Sequence, residues 1–91
     1  MKTMKITEIQ ILPIKPNNGL VAFASFVLDG NIYLGSIGVH KRLDGSGFRI
    51  TYPTKKIADK DFHIFHPINR QASEEIEKAI ISKAVEIIKE I

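Results

Sequence analysis

Residues 20–39 read Leu20-Val-Ala-Phe-Ala-Ser-Phe-Val-Leu28, then Asp29-Gly30, then Asn31-Ile-Tyr-Leu-Gly-Ser-Ile-Gly-Val39. The first nine are apolar almost throughout. That pattern predicts a strand covered on both faces, which belongs in the middle of a sheet. Asp29-Gly30 then supplies two residues that tolerate φ > 0, as a tight hairpin turn requires. An antiparallel hairpin over 20–39 is therefore predicted, and the rest of the fold is arranged around it.

Upstream, Lys5 to Ile14 carries Ile6, Ile9, Ile11, Leu12 and Ile14 around polar Thr7, Glu8 and Gln10. This predicts a first strand whose alternation slips between Ile6 and Ile9, as at a β-bulge. Pro13 has no amide donor, so the strand should end there or lie at a sheet edge. Pro16-Asn17-Asn18-Gly19 reads as a turn. Downstream, Leu43 to Gly47 is a loop and Phe48 to Tyr52 a short strand stopped by Pro53. Lys55 to Asp61 is a polar, solvated segment, and Phe62 to Phe65 can add a last short strand.

From about Ser73 the periodicity becomes helical, with Ser73 or Asn69 available as the cap and Glu74 and Glu75 suited to the positive end of the helix dipole. At 100° per residue, Ile76, Ile80, Ala84, Ile87 and Ile91 form one stripe, which Ile81, Val85 and Ile88 widen to about half the circumference. One sheet does not need so wide a face. Either the helix is deeply buried in its own core, or a second subunit covers the surplus through Ile81, Val85 and Ile88. The fold class expected is α+β: one domain over residues 1–91, an antiparallel sheet of four or five strands with a C-terminal helix, and a homodimer.

Composition narrows the function. A chain of 91 residues buries a thin core, which dimerisation would reinforce. Cysteine is absent, which excludes disulfides, cysteine-ligated zinc and thiol catalysis. Glu8 and Gln10 interrupt the apolar residues that follow Met1-Lys2-Thr3-Met4-Lys5, so neither a signal peptide nor a membrane span is expected, and the location expected is the cytoplasm. Thirteen Lys and Arg against ten Asp and Glu leave a net charge of +3, a bias that permits nucleic-acid binding without requiring it.

No constellation for catalysis emerges. His63 and His66 lie three apart, which in an extended segment points them to opposite faces, and His40 is distant in sequence. Structural histidines bonded to loop backbone are expected, with no metal and no cofactor. Ser25, Ser36 and Ser46 sit in no nucleophile motif. Asp59 and Asp61 flank Lys60 in a solvated stretch that gives no burial to shift a pKa. Gly45-Ser46-Gly47 lacks phosphate-loop spacing and reads as a turn. No enzyme and no small-molecule substrate are expected.

The basic residues remain. Lys41-Arg42 ends the third strand, Arg49 lies on the fourth, Lys55-Lys56 opens the polar segment and Arg70 precedes the helix. Gathered by loops at one end of the sheet, they would make a phosphate-binding patch. Scattered, they are solubilising charges. On the helix, Lys78, Lys83 and Lys89 are offset by Glu75, Glu86 and Glu90, the pattern of a solvent face.

Several segments together resemble the SpoVG (stage V sporulation protein G) family: Ala22 to Gly30, Ile37-Gly-Val39, Gly47 to Lys55, and His66-Pro67-Ile68-Asn69 before a helix carrying Ile76, Ala79 and Ile80. The resemblance spans residues 5 to 88 in order. It implies an antiparallel sheet with a C-terminal helix, a homodimer, and a regulator of sporulation, septation or gene expression that binds DNA or RNA. Tyr52-Pro53-Thr54-Lys55 stands where the family has Met-Pro-Ser-Arg. His63-Ile64-Phe65 replaces its Asp-Ile-Ala, and Ser73-Glu74-Glu75 stands where its helix often has an Arg. Two functions fit these residues. One is nucleic-acid binding through Lys41, Arg42, Arg49, Lys55, Lys56 and Arg70; the other is a dimeric protein-interaction module that regulates without touching nucleic acid.

Overall fold

The structure, a computed structural model, describes residues 4–88. Four strands form an antiparallel meander in chain order: β1 (Ile6–Asn17), β2 (Leu20–Leu28), β3 (Ile32–Lys41) and β4 (Phe48–Thr51). A separate hairpin follows, β5 (Thr54–Ile57) and β6 (Lys60–His63), and then one helix, α1 (Arg70–Ile87). The class is α+β.

The predicted hairpin is β2–β3. Asp29 at φ 53° and Gly30 at φ 68° both take the left-handed conformation, and the amide of Asn31 donates to the Leu28 carbonyl at 3.0 Å. Two consecutive positive φ values give the turn a twist that matches its strands. Asp29 also ties down the start of β1: its side chain accepts from the Lys5 amide at 2.9 Å. The bulge expected early in β1 lies between Thr7 and Gln10, with Glu8 at φ 52°. β1 runs on through Pro13 to Asn17, which an edge strand allows because its outer amides need no partner. The turn to β2 is thereby reduced to Asn18-Gly19.

Strand pairing sorts the side chains. Ala22, Ala24 and Phe26 of β2, Ile37 and Val39 of β3, and Phe48 of β4 are buried against Ile76, Ile80, Ala84 and Ile88. The helix residues recur every four positions, so one stripe lies on one face of the sheet. Phe26, Ile37, Val39 and Ile80 are the largest fully buried side chains.

Three expectations need correction. The helix begins at Arg70, with Asn69 as cap: its side-chain oxygen accepts from the Ala72 amide at 2.8 Å. Glu74 and Glu75 therefore fall in the second turn, and the first helical residue is cationic. The polar stretch from Lys55 to Asp61 is solvated, yet it forms a hairpin turning at Ala58 (φ 57°). Finally, Ile88 packs into the chain's own core while Ile87 is half exposed, the reverse of the stripe read from 100° spacing. Ile88 continues the four-residue recurrence of Ile76, Ile80 and Ala84, its amide still donating to the Ala84 carbonyl at 2.7 Å while its own φ −106°, ψ 70° end the helix. Ile91, Lys89 and Glu90 lie outside the described residues.

Candidate functional site

The β3–β4 turn collects three of the expected cations. Lys41, Arg42 and Arg49 are all exposed, and the loop between them is stapled by the Arg42 amide donating to the Gly47 carbonyl at 2.8 Å. Gly45 (φ 77°) and Gly47 (φ 134°) let the chain reverse there. Arg42 and Arg49 border a shallow depression of about 300 Å³ with Leu43 and Asp44. Asp44 tempers this positive tip. Hydrogen bonds from Ser46, reinforced by the charge of Arg42, hold its carboxyl below the ordinary carboxylate range.

Arg49 stands opposite His40, whose ring nitrogen lies 3.0 Å from the Thr51 hydroxyl. Burial and then the Arg49 charge lower the pKa of His40, so the neutral imidazole is favoured there.

The second pair of cations sits elsewhere. β4 runs from the basic turn back along β3, and the β5–β6 hairpin leaves from its far end. In that hairpin Lys55 is opposite Phe62 and Lys56 opposite Asp61. Cross-strand partners share a face and neighbours alternate, so Lys55 and Lys56 project to opposite sides. Lys55, Ile57, Lys60 and Phe62 make one face; Thr54, Lys56, Asp61 and His63 make the other. Lys60 thus joins Lys55, a pairing that no reading of a solvated loop would supply. Alternation on either side of Ala58-Asp59 is the signal that could have found it.

Arg70 is engaged differently: its guanidinium meets Glu74 at 3.1 Å on the exposed first turns of the helix. Among the described residues, ion pairs within 4.0 Å are confined to Arg70–Glu74 and Lys83–Glu86. The structure therefore gathers Lys41, Arg42 and Arg49, sets Lys55 and Lys56 at the other end of β4, and leaves Arg70 paired on the helix.

The expected dimer residues also separate. Ile88 is in the core, Ile81 is half-buried against it, and Val85 is 54% exposed. Further apolar side chains stand out on and after the hairpin: Ile57, Phe62, Ile64 and Ile68.

The histidines depart from expectation in one respect. The rings of His63 and His66 approach to 4.7 Å between centroids and do not diverge, because the chain bends after β6. His66 meets the Pro67 carbonyl at 2.9 Å, the backbone contact expected of it. Among the described residues no three His, Asp or Glu side chains are grouped as metal ligands. No helix among them is long and apolar enough to cross a membrane.

The family model described as SpoVG matches residues 4–85. Three relatives, each carrying SpoVG and the word septation in its name, illustrate the similarity. One from Treponema denticola is 32% identical, covering 86% of this chain and 83% of the relative. One from Finegoldia magna is 34% identical, covering 88% and 73%. One from Staphylococcus aureus is 30% identical, covering 92% and 83%.

Proposed function

The chain belongs to the SpoVG family, and from that premise we propose that it is a nucleic-acid-binding regulator of septation or gene expression, acting through phosphate contacts. The observation that carries this function is the pair of exposed cationic hairpins at the two ends of β4. Lys41, Arg42 and Arg49 form one, and Lys55, Lys56 and Lys60 the other, none of them within 4.0 Å of a carboxylate among the described residues. Strand pairing on either side fixes where the backbones of these cations stand, and their flexible side chains serve as charges on phosphates. Release of counterions from the polyanion then supplies the affinity, independently of sequence.

The protein would work in the cytoplasm as a homodimer, without cofactor or metal and without catalysis. A second copy would double the cationic surface and cover apolar side chains such as Val85 and Ile87. The septation role follows the names of the relatives.

A competing function, a protein-interaction module, is favoured by the exposed Ile57, Phe62, Ile64 and Ile68. A salt titration separates the two. Binding to duplex DNA or to RNA should weaken steeply with salt, log K falling by about 0.7–0.9 per phosphate contacted. No affinity for either nucleic acid at low salt would remove the nucleic-acid function and leave the protein partner.

A further inference from the structure

The helix covers one face of the meander and leaves the other open. On that open face the pairings run in rows: Gln10 opposite Ser25, Leu12 opposite Phe23 opposite Gly38 opposite Thr51, Val27 opposite Tyr33, and Leu20 opposite His40 opposite Arg49. Two aromatic rings stand exposed on this surface, Phe23 and Tyr33, the latter 69% open to solvent. Water-facing rings on the middle strands of a sheet are costly unless something stacks on them.

The local geometry makes room for the Tyr33 ring. The Tyr33 ring lies across Gly35, where an added Cβ would come 3.0 Å from its Cε2 atom. A side chain at 35 would press on the ring and displace it by a few tenths of an ångström. Gly38, opposite Phe23, leaves room for different neighbours: a Cβ there would meet the Thr51 hydroxyl at 2.7 Å and His40 Nε2 at 3.1 Å. Between Phe23 and Tyr33 lies a depression of about 340 Å³ bordered by Gln10, Leu12, Ser25 and Ser36. Its border thus combines two π-faces with an amide and two hydroxyls that can donate or accept. That is the equipment for one planar heterocycle with a hydrogen-bonding edge.

Charge chooses the occupant. Among the register-paired residues of the open face none is acidic, and the one permanent charge is the Arg49 cation. Tyr33 and Ser36 also border a second depression, of about 410 Å³, shared with Pro53 and Ile64 at the root of the β5–β6 hairpin. The β5–β6 hairpin that starts beside this depression carries Lys55, Lys60 and Phe62 together on one of its faces. Aromatic rings in line with cations are what an unpaired strand needs: stacking for its bases and counter-charge for its phosphates. A duplex, whose bases are already stacked, could use the cations alone.

We propose that the open sheet face is a base-stacking site for single-stranded nucleic acid, with Tyr33 and Phe23 taking bases and Gln10 and Ser25 meeting their edges. This rests on the nucleic-acid function above and specifies its ligand class. The test measures anisotropy of labelled oligothymidine, oligouridine and a duplex against the intact protein at several salt concentrations. Tyr33→Ala, confirmed folded by circular dichroism, should bind single strands roughly ten-fold more weakly with an unchanged salt slope. Tyr33→Phe should restore binding, and duplex affinity should hardly move. If Tyr33→Ala binds single strands as the wild type does, the stacking site is overturned while nucleic-acid binding stands. If the wild type binds no nucleic acid, both are overturned. A change from dimer to monomer in Tyr33→Ala would instead make the open face an interface between copies, and would overturn it too.

Discussion

Lys56 and Asp61 face each other directly across the β5–β6 hairpin. The carboxylate partly cancels the cation it opposes, whereas Lys55, on the other face, stands opposite Phe62. Adjacent lysines are thus unequal. Lys55→Ala and Lys60→Ala should each reduce the slope of log K against log salt by about 0.7–0.9, and Lys56→Ala by much less. All three should melt like the wild type, since exposed charges contribute little to stability. Equal effects of Lys55→Ala and Lys56→Ala in the titration would contradict this division.

Ile88 and Val85, three apart on the last turn, should respond oppositely to charge. A glutamate at Ile88 would bury a carboxylate in the chain's own core, costing several kcal/mol and unfolding the protein. Val85→Glu should leave the monomer folded and break the homodimer. Sedimentation velocity and thermal melting of both variants check this. A wild type that sediments as a monomer at micromolar concentration would contradict the dimer itself.

His40 gives stability a dependence on mild acid. Its pKa is lowered in the folded chain from 6.5, so just below that value the unfolded chain binds more protons. The contribution is present in full above pH 6.5 and is lost as pH falls through the lowered folded value. His40→Asn should flatten this part of the melting-temperature profile. Tyr52 acts at the alkaline end. Burial, helped by Glu77, raises its pKa to about 12, so its contribution is intact below pH 10.0 and lost as pH rises towards 12.

Asn69→Ala should cost about 1 kcal/mol by leaving the Ala72 amide without its acceptor. In a domain of this size that lowers the melting temperature by about 4–8 °C. Asn69→Asp should retain the cap. Equal melting of Asn69→Ala and wild type would mean that tertiary packing alone sets the helix start.

Much of the fold was legible in residue order. The middle position of the apolar run Leu20 to Leu28, the Asp29-Gly30 turn and the slipped alternation of β1 were local preferences that packing respected. The cover expected on both faces of that run is missing on one, where Phe23 is exposed. The candidate cations were legible as residue types, and their grouping was not. Lys41, Arg42 and Arg49 meet because β3 and β4 pair; Lys55 and Lys56 part because a charge-rich segment folds as a hairpin. Phe23 and Tyr33 gave no signal of function, since an apolar strand interior predicts burial for each of its members.

Local chemistry depends on a few neighbouring residues, so the chain order by itself determined the four strands of the main sheet, the main turn, the helix and its candidate caps. Which face of the sheet the single helix covers is a choice among long-range arrangements, settled by the joint burial of Phe26, Ile37, Val39 and Ile80. That choice decided the rest. With one helix for two sheet faces, Phe23 and Tyr33 were left in water, and Ile88 was drawn into the core.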